Sequence, residues 1–151
     1  MKTKFILLTV LAALFLSCKS DTKNEIPSSS EKEELNIDES IKLKLDNGQK
    51  WIANEETHIG IKNMDSIIKA FELDNNKDYL VLGKALSKQT SFVIKNCTMK
   101  GEPHDLLHVV LVPMLDEISV LKETQNNLDA SKALENLKTL IIKYFIHFKI
   151  L

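Results

Sequence analysis

Chemistry in this chain concentrates in one short stretch, Cys97-Thr-Met99-Lys-Gly101-Glu-Pro103-His104-Asp-Leu-Leu-His108, which places four soft or borderline metal ligands within twelve residues. A thiolate, two imidazoles and a thioether make up the donor set of blue-copper electron-transfer sites, and the two sulfur donors also suit Cu(I). His104 and His108 are one helical turn apart, so both imidazoles project from the same side of a helix. Cys97 reaches them from the end of the preceding element, and Met99 sits in the turn between. Zinc is the second choice, held by Cys97 and the two histidines with Asp105, Glu102 or water in the fourth position. The thioether favours copper.

Each of these residues also has a purely structural use. A cysteine on an inner helical face behaves as a small core hydrophobe, and a methionine fills gaps at the end of a bundle. Histidines spaced i, i+4 often face solvent, and a protonated His104 near a helix start gains nothing from the macrodipole. Their conjunction in one segment is what points to metal. A b-type haem held between Met64 and His108 is a further alternative for a helical bundle. Covalent haem is not indicated, because no Cys-x-x-Cys-His occurs. The chain also lacks a glycine-rich phosphate loop and a Gly-x-Ser-x-Gly elbow. A Cys97/His104 nucleophile would lack identifiable oxyanion donors and a third, orienting group. The reading is therefore non-enzymatic: a copper-binding protein, or a structural or partner-binding protein that holds no metal.

Four helices must position these residues. The first, over 55–73, follows Asn54 as N-cap and aligns Thr57, Ile61, Met64, Ile68 and Phe71 on one stripe. Asp74-Asn75-Asn76 ends it. The second, over 77–96, turns Tyr79, Leu82, Leu86, Thr90 and Val93 inward, and the same periodicity brings Cys97 onto that face. After the break at Lys100-Gly101, Pro103 suits the first turn of a third helix reaching Glu123, with Leu107, Leu111, Met114, Ile118 and Leu121 inward and a kink at Pro113. Asp129 or a nearby residue caps a fourth over about 130–148, with Leu134, Leu137, Ile141 and Tyr144 or Phe145 inward. Short connections between amphipathic helices predict an all-α, up-down antiparallel four-helix bundle over 42–151. At the start of that span, ahead of the first helix, alternating apolar residues around Asn47-Gly48 suggest a short hairpin or extended entry segment, with Trp51 covering one end of the core.

The N-terminus carries an address. Lys2 and Lys4 precede an apolar run from Phe5 to Leu16, too short for a permanent membrane span, and Ser17 and Cys18 follow. Residues 1–17 thus read as a cleaved signal peptide. Phe15-Leu16-Ser17-Cys18 resembles a lipobox, with Phe15 where the stricter pattern has Leu. It makes Cys18 the acyl acceptor, and two or three acyl chains anchor firmly where one binds only marginally. Residues 19–40 are rich in Ser, Lys, Glu, Asp and Asn without apolar periodicity, so 18–41 reads as a lipidated cysteine and disordered tether. Cleavage removes two lysines from 20 basic against 21 acidic side chains and takes the net charge from −1 to −3. Every basic residue is lysine, so the bidentate guanidinium fork for phosphate and guanine is missing, and nucleic acid is excluded as an expected partner. The expected partner is a lipid membrane, and the expected location is outside the cytoplasm of a bacterium. Of the two cysteines Cys18 is taken by lipid, so Cys97 has no disulfide partner in its own chain.

Trp51-Ile-Ala-Asn54-Glu-Glu-Thr57, Gly60-Ile61-Lys-Asn63-Met64, the Cys97 to His108 segment and Leu111-Val-Pro113 together resemble uncharacterised small Bacteroidota-type lipoproteins with a Cys-x-Met-x-Gly-x-x-His-x-x-x-His segment. The resemblance spans roughly residues 43–121. It implies a helical, exported protein and assigns no activity.

Overall fold

The computed structural model describes residues 42–151; the expected signal peptide, the expected lipidation site at Cys18 and the expected tether lie outside the described residues. Four helices follow in chain order: α1 (Glu55–Leu73), α2 (Tyr79–Asn96), α3 (Glu102–Glu123) and α4 (Asn127–His147). Two short strands flank them, β1 (Trp51–Ile52) and β2 (Phe148–Lys149). Successive helices pack on one another, α1 on α2, α2 on α3 and α3 on α4, and the chain is the expected four-helix bundle. Among the described residues no helix is long and apolar enough to cross a membrane.

The inner faces are those the periodicity predicts. Ile61, Met64 and Ile68 of α1, Leu82, Leu86 and Val93 of α2, Leu107, Leu111, Met114, Ile118 and Leu121 of α3, and Leu134, Leu137, Ile141 and Tyr144 of α4 form one buried cluster. Phe71, Tyr79, Trp51 and Phe145 are partly buried against it. Glycine brings two helix pairs close. A Cβ on Gly60 would collide with the Val93 Cγ2 of α2, and one on Gly83 would lie 2.8 Å from Lys122 Cγ and 3.0 Å from Leu121 Cβ of α3.

Helix boundaries differ from expectation where side chains compete for the backbone. α2 starts at Tyr79 because Asp78 caps it, its carboxylate accepting from Val81 N at 3.0 Å. Lys77 belongs instead to the preceding turn, donating to the carbonyls of Phe71 and Glu72 at 2.6 and 2.9 Å, where the last turn of α1 leaves unpaired acceptors. α4 starts at Asn127 rather than Ala130, since the Asn126 side chain accepts from Leu128 N at 2.9 Å. Asn54 does stand at the N-cap of α1, yet its side chain caps nothing. Its Oδ1 accepts from the buried Thr57 hydroxyl at 2.7 Å, and its Nδ2 donates to Asn96 O at 3.0 Å, joining the start of α1 to the end of α2. α3 continues through Pro113 as a single 22-residue helix.

The entry segment departs further. Asn47 and Gly48 both have positive φ, at 48° and 83°, and bring Asp46 and Gln49 into a backbone pair, the tight turn expected there. The partner of β1, however, is β2, in parallel register with Trp51 opposite Phe148 and Ile52 opposite Lys149. α4 therefore ends at His147, one residue before the predicted Phe148. Phe148 is buried and stacks on Tyr144, ring centroids 5.0 Å apart at 12°, which draws the chain out of the helix and across the end of the bundle.

Candidate functional site

One end of the bundle gathers the start of α1, the end of α2, the start of α3 and the end of α4. Asn54 reaches Asn96, Ala53 N donates to Lys149 O at 2.8 Å, and Lys44 pairs with Glu102 at 2.6 Å, all at this end. The chemistry-bearing segment turns here.

Cys97 is the C-cap of α2, with extended φ and ψ of −66° and 120°, so its thiol sits at the helix exit, partly buried against the core. Gly101, at φ 64°, reverses the chain, and its carbonyl accepts from His104 N and Asp105 N to begin α3. A side chain at Gly101 would be strained at that φ. His104 and His108 then project together, their rings edge to face with centroids 4.4 Å apart. Both histidines and Cys97 line one small cavity of about 80 Å³, otherwise apolar, with Leu107, Leu111 and Val112 among its walls. Burial holds the His108 imidazole below its ordinary proton affinity, the neighbouring His104 adds to this, and Asp105 acts in the opposite sense. A neutral imidazole keeps a lone pair free for a ligand.

Met99 goes elsewhere. It lines a separate, larger cleft of about 520 Å³ beside Thr98, between Ile52 of β1 and the C-terminal Ile150 and Leu151. Sequence proximity to Cys97 does not bring its thioether to the histidine pair, because the extended turn carries it towards the strands. The four predicted ligands thus divide into three around one cavity and one in another. Among the described residues, no three of His, Cys, Asp and Glu are already gathered to hold a metal ion. Met64, the alternative haem ligand, is enclosed in the core.

The same end holds a pair that periodicity alone does not single out. Tyr144 of α4 is fully buried, and its hydroxyl lies 3.3 Å from Nδ1 of His58 on α1. Burial raises the tyrosine's proton affinity far above normal, with a further contribution from Cys97. His58 packs edge to face on Phe145 at 5.5 Å. Its only sequence signal is its place at the margin of the α1 stripe, next to Thr57. Neither a family model, nor a curated protein, nor a solved structure matches this chain.

Proposed function

We propose that this protein is an extracytoplasmic lipoprotein, anchored through acylated Cys18, whose bundle binds a soft metal ion, copper first, for binding, delivery or electron transfer. One observation carries the metal reading: Cys97 at the exit of α2 and the His104/His108 pair of α3 line the same small cavity. A thiolate with imidazoles selects copper or zinc over hard cations, and apolar walls favour the lower-charged Cu(I). Met99 is not needed for this donor set. The kinship with Bacteroidota-type lipoproteins belongs to the same proposal and rests on the Cys97 to His108 segment and the lipobox-like Phe15-Leu16-Ser17-Cys18.

Closing three donors around an ion requires a rearrangement, because they are not gathered beforehand. That same observation favours a second reading, a structural or partner-binding lipoprotein without metal. Loading purified protein with Cu(I), Cu(II) or Zn(II), dialysing against a mild chelator and measuring retained metal separates the two. Retention that disappears in Cys97→Ala supports the metal site. Equal retention in wild type and Cys97→Ala would leave the structural reading.

A further inference from the structure

We propose that His58 is a pH-sensitive latch between α1 and α4: while neutral it accepts a hydrogen bond from the Tyr144 hydroxyl and holds the start of α1 against the end of α4, and on protonation it releases them. The argument starts from the hydroxyl. Tyr144 is fully buried, and its hydroxyl meets His58 Nδ1 at 3.3 Å. A phenol that stays protonated must point its O–H at an acceptor, and an imidazole offers a ring-nitrogen lone pair only while neutral. Protonating His58 turns acceptor into donor and leaves the buried O–H unpaired, a costly state.

The surroundings add to that cost. Lys62 on its own helix and Lys50 just ahead of β1 are the charges that act on His58, and both are positive. From α4 the ring meets the uncharged Tyr144 and Phe145, and the Cys97 thiol at the end of α2 acts on Tyr144. Burial, Lys62 and Lys50 together hold the imidazole below its ordinary proton affinity. The folded chain thus binds this proton less tightly than the unfolded chain. The latch's contribution to stability is complete above the ordinary histidine value of about 6.5 and is lost as pH falls below it, through the folded value.

Release acts at a weak seam. α1 and α4 touch far less than the other neighbouring helices do. At this end they are tied by the latch, by Lys50 Nζ donating to Phe145 O at 2.6 Å, and by the two-residue pairing of β1 with β2. Trp51, the only tryptophan, lies in that pairing and reports on it.

Trp51 emission of the purified, metal-free protein, followed from about pH 7.5 to about pH 5, tests the latch. A reversible change with its midpoint below about 6.5 is expected. It should vanish in His58→Gln, which keeps an acceptor but cannot be protonated, and persist in His108→Gln. Tyr144→Phe, which has no hydrogen bond to break, should also lose the emission change, and its His58 imidazole should titrate higher than in wild type, since the neutral ring then has no hydroxyl to favour it. Direct titration of the His58 imidazole by NMR in wild type makes the test independent of how the variants fold. A flat emission profile, a transition that survives His58→Gln, or a His58 titration at or above the ordinary value overturns the proposal.

Discussion

Cys97 makes the metal and core readings separable at a single atom. As a ligand, its thiolate gives bound Cu(II) an intense visible band; as core, it only fills space. Under the metal proposal Cys97→Ala should abolish both band and retention, and His104→Ala or His108→Ala should weaken retention at least several-fold, measured by metal content after dialysis. Met99→Leu should leave retention unchanged, because Met99 lines the other cleft. Under the core reading Cys97→Ala costs about 1 kcal/mol of stability and copper leaves the melting temperature where it was. His58 and the His104/His108 pair show how different histidine environments in one chain can be. The His104/His108 pair opens on a cavity, whereas His58 is committed to a buried hydroxyl.

At the scale of the helices, close approach and capping set the geometry. Gly60→Ala gains helix propensity of about 1 kcal/mol, but its new methyl meets the fully buried Val93, a β-branched side chain with little rotamer freedom. Overpacking of this kind costs about 1–3 kcal/mol, so net destabilisation is expected in chemical denaturation, with α1 and α2 forced apart. Asp78→Ala removes the cap on Val81 N and should cost about 1 kcal/mol by the same measurement. Asn54→Ala acts differently from an ordinary cap loss. It removes the bond to Asn96 O and leaves the buried Thr57 hydroxyl without its acceptor, loosening the joint between α1 and the segment that presents Cys97.

Over the whole molecule, the parallel pairing of β1 with β2 closes the chain on itself, first described strand to last. Phe148 stacks on Tyr144 beneath it, so Phe148→Ala should cost about 3–5 kcal/mol and expose Trp51, read as lower thermal stability and red-shifted emission. The anchor proposal is tested on the intact precursor: Cys18→Ser should abolish lipid labelling and release the protein from membranes or stall it in export. Membrane retention equal to wild type would refute the anchor.

The number, order and inner faces of the four helices were legible in the sequence because each depends on a local period: an apolar residue every third or fourth position leaves little choice about which face is buried. So were the turn at Asn47-Gly48 and the i, i+4 partnership of His104 with His108, since the backbone alone puts them together. Helix starts were less legible. Asp78 and Asn126 compete with neighbouring polar residues of similar capping strength, and only the packed bundle selects between them. The pairing of β1 with β2, the hydrogen bond between Tyr144 and His58 and the diversion of Met99 away from the histidines belong wholly to the tertiary structure. Each joins residues distant in sequence or parts residues that are near. No local period encodes such a contact; it arises when four helices fold against one core and bring their ends to the same place.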